Sequence, residues 1–186
     1  MAQTILTADL IRRVRSVAQN MDASVKIDPY IKEAEFIDVL PAIGVDVYRW
    51  FVETDFTTGG PWVFKNSSGM SIAIDTNIYN TLMYGGYFAD GCGCDSHSMG
   101  LVAACGYFAY RRALRQSNVN LTSFGAVGKR SEFSNPISDL NMNIASKDAE
   151  QMGKEAIRQV VEHLLSLEMI VCKSKPYTRR RIIAVG

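Results

Sequence analysis

The sequence has little of what most active sites and metal centres are made from. Two histidines and four cysteines are spread over 186 residues. A cysteine-stapled scaffold needs more, so reduced thiols in a cytoplasmic setting are the expectation. No apolar run approaches the ~20 residues that cross a bilayer, and no basic n-region leads a long apolar stretch at the N-terminus, so no signal peptide is expected. The phosphate-cradle pattern G-x-x-x-x-G-K-[ST], the nucleophile elbow G-x-S-x-G and the zinc-protease pattern H-E-x-x-H are all missing. No pair of carboxylates stands out; Glu33 and Glu35 fall on different helical faces. The glycine pairs at 59–60 and 85–86 do not sit between a strand and a helix, as a phosphate loop would. Nothing here points to an enzyme, and no cofactor is expected.

What is present suits one globular domain over 1–186, with 47% hydrophobic and 21% charged residues. The net charge of +1 hides a split. Residues 1–95 carry seven Lys/Arg against twelve Asp/Glu, and residues 96–186 carry thirteen against seven. Two such halves either fold against each other and cancel, or meet between neighbouring copies.

The periodicity is mainly helical. Thr7 caps an expected helix running to about Met21, with Leu10, Ile11, Val14, Val17 and Ala18 recurring at three and four. Asp28-Pro29 starts another, with Ile31, Ala34 and Ile37 on one face. Residues 29–54 then read as two helices broken near Val39–Pro41. Residues 55–70 are rich in turn formers and predict a projecting loop, with the short WVF in its midst read as either a strand or a projecting tip. A short helix is expected over 76–84, stopped by Gly85-Gly86. From Ser98 to Arg115 apolar residues encircle the axis, which predicts a buried central helix; Arg111, Arg112 and Arg115 mark its wetter end. Residues 117–145 lack a helical period and predict an extended arm, part strand and part loop. Ser146 is expected to cap a long last helix. The basic then apolar tail, ending in RRIIAV, suggests a short C-terminal strand. The fold class expected is therefore mainly α: a helical bundle around a buried central helix, with an extended arm and a short C-terminal β element.

Three local features invite a functional reading. GCGCDSHSMG (91–100) gathers Cys92, Cys94 and His97, with Cys105, His163 or Cys172 as a fourth candidate zinc ligand. Against a zinc module or zinc enzyme stands the spacing: no C-x₂-C knuckle occurs, and Cys92 and Cys94 converge only if Gly93 turns the chain. The thiol-enzyme reading fails for want of a recognisable base, leaving Ser96 or Ser98 as helix caps. The basic tail (Lys173, Lys175, Arg179, Arg180, Arg181) admits a nucleic-acid reading, weakened by near-zero net charge and few interleaved aromatics. Trp62 and Phe64, between GGP and KNSSG, are expected on an exposed binding tip, whereas Trp50 and Phe51 are expected in the core.

The layout also carries a family resemblance. Its tokens are IKEAEFIDVLPAIG, YFAYRRAL and TSFGAVGK, set in an order of helices, variable loop, apolar central helix, arm and long final helix. In these the chain resembles the head-tail connector (head-completion, or neck adaptor) proteins of tailed bacteriophages, notably the crAss-like and other Bacteroides phages. The GCGC loop and the Trp62 loop lie outside the pattern. The resemblance implies a structural protein of the virion neck, made in the host cytoplasm. It implies a homo-oligomeric ring, commonly of 12 copies, that contacts the portal and the adjacent neck or tail rings. DNA would pass through its lumen without sequence-specific contact, and no membrane is involved. Candidate interface residues on this reading are Trp62, Phe64, Phe124, Lys129, Arg130, Phe133, Arg179, Arg180 and Arg181.

Overall fold

A computed structural model describes residues 5–7, 28–89, 93–117, 119–122, 125–128 and 139–170. The expected helix over 7–21 and the C-terminal strand lie outside these residues, apart from Thr7 itself. The described chain is mainly helical, with three short antiparallel hairpins. Helix α1 (Asp28–Ala34) runs through a π-turn (Glu35–Val39) into α2 (Leu40–Ile43), and α3 (Val45–Glu53) follows. Hairpin β1–β2 (Trp62–Lys65, Ser71–Ile74) precedes α4 (Thr76–Tyr84). Hairpin β3–β4 (Gly86–Ala89, Asp95–Ser98) leads into α5 (Gly100–Ser117). Hairpin β5–β6 (Val119–Thr122, Gly125–Gly128) precedes α6 (Asp139–Ser166).

The expected buried helix is there. Leu101, Val102, Ala104, Cys105, Phe108, Ala109 and Ala113 of α5 are buried, and the helix packs against α6, α1 and α4. Ser98 Oγ accepts from the Gly100 amide at 3.1 Å, the role its position predicts. Two glycines let α4 end against the start of α5. A Cβ on Gly100 (φ +82°) would lie 2.5 Å from the Gly85 nitrogen, and one on Gly85 (φ +91°) 2.6 Å from the Ser98 carbonyl oxygen. On the opposite flank Gly153 of α6 meets the Phe108 ring, which a Cβ would approach to 2.9 Å. Helix α4 keeps the expected bounds, with Asp75 accepting from the Ile78 amide at 2.8 Å.

Four expectations need correction. The helical path does not break at Val39–Pro41 but at Gly44 (φ +85°). Pro41 has no N–H to give the preceding turn. The chain absorbs this by widening, so that Leu40 N–H bonds Glu35 O, an i→i−5 contact. Glu35, four residues on from the buried Ile31, is fully buried, while Ile37, expected inside, is 61% exposed. The 55–70 segment is not a projecting loop: it holds a 3₁₀ turn (Phe56–Thr58) and then β1. The β5–β6 hairpin supplies the strand part expected of the 117–145 arm, but α6 begins at Asp139, seven residues before the expected cap. Ser146, inside the helix and buried, instead accepts from Arg115 Nε at 3.1 Å.

Candidate interaction surface

The charges of α3 fall on one face because Asp46, Arg49 and Glu53 are spaced by three and four. That face forms one wall of an open groove of about 350 Å³. The other wall comes from β1 and its turn, through Phe64, Lys65, Asn66 and Ser67. Trp50 joins the walls by donating its indole N–H to the Val63 carbonyl at 3.1 Å. Asn66 organises the turn: its Oδ1 accepts from the Ser68 amide and hydroxyl and from the Met70 amide, and its Nδ2 donates to the Glu168 carbonyl at 3.1 Å. Among the described residues Asp46, Arg49, Glu53 and Lys65 make no ion pair; all four are exposed.

Behind the groove lies an aromatic cluster. Strand alternation turns Trp62 and Phe64 inward and Val63 and Lys65 outward. Phe56 stacks on Tyr79 with ring centroids 4.2 Å apart, and Trp62 meets Phe56 edge-on at 5.0 Å. Trp62 also donates its indole N–H to the Asp55 carbonyl. The expected exposed binding tip is thus part of the core: Trp62 is 8% exposed and Phe64 2%. Turn formers flanking WVF suggested a tip, but the register Trp62↔Ile74 and Phe64↔Ile72 buries both rings under the hairpin. Of the expected core pair, Phe51 is buried and Trp50 half-buried. Phe124, Lys129, Arg130, Phe133, Arg179, Arg180 and Arg181 lie outside the described residues.

The GCGC segment joins β3 to β4, and residues 90–92 with Cys92 are outside the described residues. Cys94 is exposed. His97 pairs across the hairpin with the exposed Tyr87, ring centroids 5.3 Å apart. The suggested fourth ligands are engaged elsewhere. Cys105 is buried with its Sγ 3.9 Å from the Ile31 carbonyl, and burial pushes its thiol well up. His163 stacks on Phe88 at 4.1 Å, and burial pushes it down to about 4. Cys172 is outside the described residues. Among the described residues no three metal-ligating side chains come together, and no helix is long and apolar enough to cross a membrane.

Two polar clusters hold the helices around α5. Glu35 accepts from the Leu6 amide (2.7 Å), the Ile5 amide (3.0 Å) and the Tyr48 hydroxyl (2.9 Å). Burial raises the Glu35 carboxyl above its ordinary value, partly offset by these bonds. Arg112 reaches from α5 to Asp38 (2.6 Å) and Glu33 (3.5 Å). It is the one side chain among the described residues that ion-pairs the acidic first half with the basic second half. Arg111 pairs with Glu150, Lys154 with Glu150, and Arg158 with Glu155 and Glu162, all within the second half.

Among the described residues Arg112 alone bridges the charge split. The described residues carry nine Lys/Arg against fifteen Asp/Glu, a formal −6. Residues 96–186 within that set are balanced, six against six, so their basic surplus sits entirely in the remaining segments. Residues 171–186 alone hold five cations and no acid. Sequence reading missed the groove because Asn66 looked like a plain turn former. The spacing of Asp46, Arg49 and Glu53 was the available signal.

No curated protein and no solved structure matches the chain. Residues 65–169, from the end of β1 to the turn after α6, match a protein family described as of unknown function, DUF6712. The match spans more than half of the sequence, and the chain belongs to that family.

Proposed function

We propose that the chain is a non-enzymatic structural subunit of a tailed-phage neck. It is one copy of a head-tail connector ring below the portal, built as a helical bundle around α5 and enclosing the DNA channel. The observation that carries this reading is the charge separation. The described residues are acidic, with Asp28 and Asp95 exposed and without an ion pair among them, while the remaining segments hold the basic surplus. A ring interface is heterologous, each copy offering one patch to a different patch on its neighbour, and opposite charges on two patches suit that geometry.

The tokens of the connector resemblance support the reading from a second side. IKEAEFIDVLPAIG supplies Glu33, Glu35 and Asp38 with the π-turn, and YFAYRRAL supplies Phe108 and Arg112. These residues interlock α1, the π-turn and α5, so the likeness rests on groups that build the fold. TSFGAVGK falls on the β5–β6 hairpin.

Mass spectrometry of purified particles from a phage encoding this chain tests the proposal. The expected result is the chain present at a fixed ratio to the portal protein, with density for it below the portal in electron micrographs. Absence from the particle rejects the reading.

A further inference from the structure

The groove between α3 and the β1–β2 hairpin stands where the described chain runs out. Helix α6 closes with the Met169 amide on the Leu164 carbonyl and the Glu168 amide on the Leu165 carbonyl, with Glu168 in the left-handed region (φ +57°). That turn aims the Glu168 carbonyl at Asn66 Nδ2, 3.1 Å away, and Asn66 lines the groove. Met169 is buried. The described chain therefore ends two residues beyond its contact with the groove.

We propose that this groove is the docking site of residues 171–186 of the same chain. Those residues carry Lys173, Lys175, Arg179, Arg180 and Arg181 and no acid, against a formal charge of −4 on residues 1–170. Asp46 and Glu53 stand on one face of α3, about 10 Å apart along its axis, and neither has an ion-pair partner among the described residues. An extended basic segment meets both carboxylates at once. Arg49 lies between them and Lys65 on the facing wall, so the groove itself is neutral. The long-range attraction comes from the body, and the two carboxylates fix where the cations land. The edge of Trp50 offers Tyr177 or an arginine an aromatic surface.

The tether selects the occupant. Sixteen residues reach up to ~50 Å, and a segment tethered near the groove has an effective concentration in the millimolar range. A second copy would reach that only in a crowded assembly. The proposal goes beyond the ring reading and does not depend on it, since it concerns a single chain.

Zero-length carbodiimide coupling of the full chain, with peptide mapping by mass spectrometry, tests it. Expected is an amide between Lys173 or Lys175 and Asp46 or Glu53 within one chain, its yield unchanged on dilution and reduced by salt. As a second readout, Asp46→Lys with Glu53→Lys, both at exposed positions, is expected to speed hydrogen exchange across 171–181 several-fold. No such coupling, coupling only between chains, or unchanged exchange each overturns the proposal. The composition of the phage particle bears on none of these outcomes, so the two proposals fail separately.

Discussion

Helix α5 is gripped on two sides by opposite chemistry. Toward α6 the middle of the contact is apolar and depends on shape, with Phe108 in the space left by Gly153, while Arg111–Glu150 and Arg115–Ser146 add polar contacts at its end. Toward α1 and the π-turn the contact is polar. Arg112 clasps Asp38 and Glu33, while Glu35 nearby gathers three donors from Ile5, Leu6 and Tyr48. A shape contact is insensitive to pH and salt, and its strength scales with volume. A buried carboxylate contributes through satisfied hydrogen bonds and is costly once a partner is lost. The apolar side is therefore sensitive to an added methyl at Gly153, and the polar side to a lost oxygen at Glu35.

The largest expected effect breaks the apolar side. Phe108→Ala is expected to destabilise by about 4 kcal/mol in denaturant unfolding. Gly153→Ala is expected to destabilise by about 1 kcal/mol, although alanine is the better helix former, because its methyl meets the ring. The double variant should be less destabilised than the sum of the two, since the alanine methyl occupies space the ring vacates. Strict additivity would show that the two side chains do not share that space.

Next in size is the polar side. Glu35→Ala is expected to cost about 3 kcal/mol, because it leaves two backbone donors and the Tyr48 hydroxyl buried without their acceptor. Glu35→Gln keeps one acceptor oxygen and is expected to cost less. Equal losses in the two variants would mean that side-chain volume, and not hydrogen bonding, is what Glu35 supplies.

The smallest effect, at neutral pH, separates two buried ionisable groups by the sign of their pH dependence. His163 is held down to about 4 from its ordinary 6.5. The unfolded chain therefore binds the extra proton first as pH falls below 6.5, and stability contributed by neutral His163 is lost from there toward 4. Glu35 is shifted up from its ordinary 4.5, so the folded chain holds its proton longer. Its contribution is fully present below 4.5 and is lost as pH rises through the folded value. His163→Phe is expected to flatten the acid limb between pH 6.5 and 4 in thermal melts, and Glu35→Gln the limb above 4.5. Unchanged profiles in both variants would remove these two groups as the source of the pH dependence.

Where local chemistry and tertiary packing agree, the sequence was legible. Gly85 ends α4 as expected, and Asp75 caps it at the expected start, because a carboxylate cap and a glycine in the left-handed region act within a few residues. An apolar circumference marked α5 as buried for the same reason. The π-turn was not legible, since Pro41 is compatible with a break, a new helix or a widened turn, and only the buried donors around Glu35 favour the last. Ser146 shows the same limit. Its hydroxyl has cap chemistry, but Arg115 from another helix takes it. The groove was half legible: the charge spacing on α3 is in the sequence, but the facing wall arrives only when the hairpin folds back.

By itself the sequence determined that the chain is mainly helical, that residues near 98–115 form its interior helix, and that its charge divides along its length. These depend on periodicity and composition, which need no partner residue. Only the tertiary structure decided that Trp62 and Phe64 face inward and that a glutamate sits at zero exposure. It alone decided that Asp46 and Glu53 share a groove wall with no ion pair among the described residues, and that the turn after α6 meets Asn66 of that groove. Each of those outcomes depends on which distant groups meet, and burial is a property of the pair in contact.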